Sequence, residues 1–120
     1  MMATLAPPNT RIADLNDRCR MGLDRTARIV ATHDCLATIA KGDRHMDMII
    51  AQARLLKAVR DYRFAPGDRS ERDFGSLELD SETIFFKIDY YDGAMEFGSE
   101  DPADASITTR VLTIMLARDY

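Results

Sequence analysis

The stretch Thr83-Ile84-Phe85-Phe86-Lys87-Ile88-Asp89-Tyr90-Tyr91-Asp92 limits what this chain can become more than any other. It is filled with β-branched and aromatic side chains, which fit a pleated, half-buried surface. Alternation puts Ile84, Phe86, Ile88 and Tyr90 on one face and Phe85, Lys87, Asp89 and Tyr91 on the other. A strand with one apolar face needs both a neighbour and a cover. Just upstream, Phe74 to Leu79 alternates as well, with Leu77 and Leu79 opposed to Ser76 and Glu78, and Asp80-Ser81-Glu82 makes a short polar break. The two runs predict a β-hairpin.

The cover comes from elsewhere in the chain. Behind Asp43, a helix N-cap candidate, Met46, Ile49, Ile50, Ala53, Leu56 and Val59 recur at helical spacing and predict a core helix that ends at Ala65-Pro66-Gly67-Asp68. Ile12, Leu15 and Cys19 predict an earlier helix over about 10–22, capped by Asn9 or Thr10 and stopped by Gly22. Ala27 to Thr32 is short and β-branched and suits a strand, whereas HDCLATIAKGD reads either as a second strand or as a loop ending near Gly42. Ile107, Val111, Leu112, Ile114, Met115 and Leu116, behind the cap candidates Asp104 and Ser106, predict a final helix, against the strand preference of Thr108, Thr109 and Thr113. The expected architecture is a single α+β domain over 10–120 of order α-β-α-β-β-α, after a flexible N-terminus over 1–9. Its mainly antiparallel sheet carries the central and final helices on one face.

At 120 residues, 46% apolar and 30% charged, the chain has the size and composition of one self-sufficient globular domain. No run approaches a membrane span, and MMATLAPPNT lacks the basic start and apolar core of a signal peptide, so a cytoplasmic location is expected. The two cysteines, Cys19 and Cys35, are too few for a disulfide framework and are expected to be buried free thiols.

Charge is distributed unevenly. Residues 1–72 carry a net +4, residues 73–106 a net −9, and the last stretch +1, for a total of −4. Such a field steers encounters with a basic partner.

The runs KIDYYD, FGSEDPAD and TTRVLTIMLARDY resemble a family of small uncharacterised bacterial proteins, a domain of unknown function. The resemblance is close over about residues 73–120. It implies a natural small domain whose members occur on mobile genetic elements as well as chromosomes, and hence an accessory or defence-related role. It brings no catalytic residue with it.

The residues themselves offer several chemistries. His33, Cys35, His45 and Asp47 are potential metal ligands, but they lack the paired spacing of a zinc site, and neither a metal nor any other cofactor is expected. Asp89 and Asp92 could do acid–base work in a small hydrolase or metal-dependent enzyme, the alternative reading, although no nucleophile–histidine pair accompanies them and no catalytic residue is assigned. Gly93, Gly98 and Ser99 make no phosphate cradle beside Glu100 and Asp101. Arg18, Arg20, Arg25 and Arg28 are interspersed with acids, and a pI near 5.1 argues against direct nucleic-acid binding. What remains is a protein-binding surface made of Phe85, Asp89, Tyr91, Asp92, Glu96, Phe97, Glu100, Asp101 and Asp104, aromatic anchors in an acidic field. Its expected partner is a protein with a basic surface, such as a nucleic-acid-handling defence protein that the acids would inhibit by mimicry. An exposed strand edge or a partly apolar helix face would also allow a homodimer.

Overall fold

The computed structural model describes residues 8–120, with side chains from Thr10 onward. Most of the expected N-terminal segment, residues 1–7, lies outside the described residues. The elements run α1 (Pro8–Arg20), β1 (Arg28–Ala31), α2 (His33–Ile39), α3 (His45–Asp61), β2 (Phe74–Leu79), β3 (Glu82–Tyr91) and β4 (Thr109–Leu116), with short 3-10 turns at Ala105–Ile107 and Ala117–Asp119. The fold is α+β, as expected, and the four strands lie in the order β1-β4-β3-β2. β4 pairs antiparallel with β3 and parallel with β1, and β2 and β3 form the hairpin.

Two expectations fail here. The final helix is the strand β4, so the order closes with three consecutive strands. Its pairing explains why: β4 lies between β1 and β3, where β-branched Thr109, Val111, Thr113 and Ile114 suit the pleat. The segment left as strand or loop is instead helix α2, started by the Thr32 hydroxyl, which accepts from the Cys35 N–H at 3.3 Å.

The hairpin follows the alternation. Ile84, Phe86 and Ile88 are buried on the face that the helices cover, together with Leu112, Ile114 and Leu116 of β4. Cys19 of α1, Cys35 and Ile39 of α2, and Ala51, Leu55 and Val59 of α3 join them in one cluster, so all three helices share that face. Leu77 and Leu79 sit half-buried at its margin. Opposite Phe86 on β2 stands Gly75, where a Cβ would lie 2.1 Å from the Phe86 ring; the missing side chain is what lets the ring lie over the edge strand.

At the hairpin tip Asp80 and Ser81 both adopt positive φ, 52° and 66°, as a tight two-residue turn with right-handed strand twist requires. The Asp80 carboxylate is gripped by both terminal nitrogens of Arg54, at 2.6 and 2.7 Å, and by Lys41 at 3.2 Å. Those hydrogen bonds hold its pKa far below the usual carboxylate range. The tip is thereby tied to α3.

Helix α3 is the core wall, and the end of the expected stripe holds, with Val59 buried and Leu56 packed against the core, but its earlier turns face a different way from the one expected. Ala51, Leu55 and Val59 are buried, while Met46, Ile49, Ile50 and Ala53 point to solvent. None of the described α-helices covers the opposite face of the sheet. There Phe85 packs edge-on against Phe74 at 4.9 Å and Tyr120 at 5.7 Å between centroids, so the chain end folds back over the sheet.

Cys19 and Cys35 are free, buried thiols, and burial pushes the pKa of each up from 9.0 to about 11. A folded-state value above the unfolded one means their contribution to stability is complete below pH 9.0 and is lost as pH rises toward about 11. Native protein at pH 8 is therefore expected to leave a thiol-disulfide exchange reagent unreacted, with both thiols titrating once denaturant is added. Rapid labelling of either cysteine in the folded state would contradict this packing.

Candidate functional site

Past β3 the chain turns back on itself. The Tyr90 carbonyl accepts from Ser99 N–H at 3.1 Å, and Asp92 N–H donates to the Phe97 carbonyl at 2.8 Å, so residues 92–98 form a short flap on the strand end. The Asp92 carboxylate closes the flap by accepting from Glu96 N–H at 3.0 Å. The Asp101 carboxylate accepts from Ala103 N–H at 3.1 Å. Asp104 caps the 3-10 turn by accepting from Ser106 N–H at 2.9 Å and from its hydroxyl at 2.6 Å. The Ser106 hydrogen bonds, helped by nearby Arg11, lower the Asp104 pKa.

Three of the expected binding acids are thus turn-forming acceptors. Glu96 and Glu100 are exposed, and their carboxylates take no part in these turns.

Flap and 3-10 turn enclose a groove of about 490 Å³ lined by Asp92, Gly93, Phe97, Gly98, Glu100, Ser106 and Ile107. Phe97 is 70% exposed and Ile107 44%, so two large apolar side chains stand at the groove open to solvent. An aromatic ring, an aliphatic side chain and carboxylates around one hollow suit a long cationic side chain with an apolar stem.

Of the residues singled out by sequence, the structure brings Asp92, Phe97 and Glu100 together at this groove, with Glu96 beside Phe97 and Asp101 and Asp104 shaping its rim. Phe85 and Asp89 stand on the open sheet face instead, Phe85 within the aromatic cluster and Asp89 paired with Lys87 at 3.3 Å. Tyr91, half-buried at the end of β3, pairs with Gly98 through an isolated bridge and anchors the flap. Ile107 and Ser106 were missed because both were read as the start of a helix. The groove that Asp92 lines includes neither Asp89 nor either histidine, and His33 and His45 open α2 and α3 and are exposed. Among the described residues no three or more His, Cys, Asp and Glu converge as metal ligands.

The loop that carries the groove is held from below. Thr108 Oγ1 donates to the Asp101 carbonyl at 3.0 Å, Arg110 Nη2 to the Pro102 carbonyl at 2.6 Å, and Arg11 Nε to the Ala103 carbonyl at 2.6 Å. Three side chains grip three consecutive carbonyls. Arg110 is 1% exposed. Among the described residues it has no carboxylate at ion-pair distance; its Nε donates to Asn16 Oδ1 at 2.7 Å, and its guanidinium lies 5.1 Å from the centre of the Tyr90 ring. Asn16 in turn donates to the Tyr90 hydroxyl at 2.7 Å and to the Glu71 carbonyl at 3.0 Å, and the Tyr90 hydroxyl donates to the Glu71 carboxylate at 2.9 Å. Burial above all, and then the hydrogen bond to Glu71, raises the Tyr90 pKa well above the phenol range, so the ring stays a neutral donor. No sequence pattern announces this hub, since arginine and asparagine are ordinarily surface residues.

Fold and groove together define a small α+β protein with an acidic, apolar-lined groove on a braced loop. The chain belongs to the family described as "Protein of unknown function (DUF3768)", whose model matches residues 32–119. The match begins just after β1 and includes the HDCLATIAKGD segment, so α1 and β1 lie upstream of it. No curated protein and no solved structure matches the chain. Among the described residues no helix is long and apolar enough to cross a membrane.

Proposed function

We propose that the chain is a non-catalytic protein-binding module, a mobile-element accessory protein acting in the cytoplasm. In this reading it blocks a basic, nucleic-acid-handling partner such as a defence nuclease through the groove at residues 92–107. The observation that carries the reading is the exposure of Phe97 and Ile107 around a hollow that also holds Asp92 and Glu100. Apolar anchors provide affinity in such an interface, and the surrounding acids select a cationic partner and speed its approach. The −9 charge of residues 73–106 extends that field beyond the groove.

A short arginine-rich peptide, titrated at physiological ionic strength and followed by backbone amide NMR, tests the recognition chemistry directly. Shifts are expected at Asp92–Ile107. Phe97→Ala, or Glu96→Lys with Glu100→Lys, should weaken binding by about tenfold or more. These substitutions spare the turn-forming carboxylates, so a loss would report recognition rather than loop collapse. Equal affinity for the charge-reversed variant, or shifts confined to the open sheet face, would refute the assignment.

A further inference from the structure

The 3-10 turn Ala105–Ile107 serves two hollows. Ser106 and Ile107 line the acidic groove, and Ala105 lines a second hollow of about 270 Å³ with Leu15 and Arg18 of α1 and with Leu23, Asp24, Arg25 and Thr26 just after that helix. Among the described residues no lining residue is common to the two, so the turn stands between them.

The two hollows differ in charge. In the second, Asp24 is half-buried, and its Oδ1 accepts from the Thr26 N–H at 2.9 Å and from the Thr26 hydroxyl at 2.7 Å. Arg18 and Arg25 are exposed, and among the described residues neither has a carboxylate at ion-pair distance. Arg18 makes one long hydrogen bond, to the Leu23 carbonyl at 3.4 Å. The hollow thus turns two guanidiniums to solvent beside Leu15 and Leu23, the latter 57% exposed. Such a setting suits a carboxylate on a short aliphatic stem. Across the turn, Asp92 and Glu100 present the opposite charge.

The spacing of the two is held by the backbone. Arg11 of α1 donates to the Ala103 carbonyl at 2.6 Å, and Asp104 caps the turn through the Ser106 N–H at 2.9 Å. An extended segment advances about 3.3 Å per residue, so two to four residues cover roughly 7–13 Å. That matches the width of one helical turn with its side chains, roughly 10 Å.

We infer that the segment recognised at the groove is bipolar: it lays an arginine or lysine beside Asp92 and Glu100 and, two to four residues away, sets an aspartate or glutamate against Arg18 and Arg25 across the turn. The inference rests on the reading of the groove as a binding site and adds a selector to it. A purely basic segment running over the turn meets Arg18 and Arg25 as like charges, so a mixed segment is preferred within an otherwise basic partner.

The arginine-rich peptide of the groove test supplies the reference for this one. Variants carry one glutamate two, three or four residues beyond either end of the arginine run, or glutamine at the same place. Affinities are read by calorimetry at physiological ionic strength. At one spacing at least, glutamate is expected to bind about threefold or more tightly than glutamine. With a chain of net charge −4, general attraction predicts the reverse, because glutamate lowers the positive charge of the peptide. Arg18→Gln together with Arg25→Gln should remove the advantage of glutamate without weakening the glutamine peptide, whereas Phe97→Ala should weaken both peptides. Glutamate without advantage at every spacing, or an advantage that survives loss of the two arginines, would overturn the inference and leave the groove reading standing on the glutamine peptide. Failure of both peptides to bind would overturn the two together.

Discussion

Replacing Arg110 by methionine is expected to cost about 2–4 kcal/mol of stability, read as a lower urea midpoint, and to loosen the acidic loop with it. Methionine keeps the apolar stem but leaves two acceptors, the buried Asn16 Oδ1 and the part-buried Pro102 carbonyl, without their donor. Each unpaired acceptor carries a penalty of about 1–3 kcal/mol, which relief of the buried charge offsets only in part. The Tyr90 ring also loses the cation against its face. Because one of the two acceptors belongs to the loop, amide exchange at Ala103, Asp104 and Ile107 should accelerate beyond what the global loss explains. A variant with the original midpoint and loop protection would show that Arg110 is a passenger.

The second large effect is expected at Arg20. Its Nη1 donates to the carbonyls of Val59, Arg60 and Tyr62, at 3.1, 3.1 and 3.0 Å, where α3 ends and, of these, the Val59 carbonyl also accepts from the Tyr62 N–H. Its Nη2 pairs with Asp17 at 3.3 Å and its guanidinium lies over Phe64, while Nε has no partner among the described residues. A positive charge at a helix C-terminus also complements the dipole. Arg20→Ala should therefore cost about 2–4 kcal/mol and lower the melting temperature by on the order of 10 °C. Arg20→Lys should recover less than half, because a single ammonium cannot serve three carbonyls, a carboxylate and a ring together. Full recovery by lysine would reduce the role of Arg20 to simple charge.

Both arginines mark where sequence reasoning stops. The hairpin was legible because alternation at Leu77, Leu79, Ile84, Phe86 and Ile88 reports a sheet with one covered face, and that is what forms. β4 was not legible, because an inner strand carries apolar side chains at successive positions. Ile114, Met115 and Leu116 are all buried, Met115 on the face away from the helices, and such a run has no period to distinguish it from a buried helix. The threonines held the correct signal and the apolar count outweighed it. In α3 two apolar stripes overlap, and spacing alone cannot say which one faces the sheet. At the groove, Phe97 and Glu100 were legible as an aromatic among acids, whereas the division of labour among the acids depends on turn geometry. The Arg110 and Arg20 hubs join residues far apart in the chain, and only the folded backbone brings them together.

The grip on three successive carbonyls, by Thr108, Arg110 and Arg11, bears on how this surface can change over time. Main-chain oxygens are present whatever side chains the residues carry. The loop is moored by its backbone, and Asp92, Ser99, Asp101, Asp104 and Ser106 are committed by their side chains to its turns. Glu96, Phe97, Glu100 and Ile107 can be exchanged without moving the platform beneath them. Such a loop can be rewritten position by position while the fold that presents it stays the same.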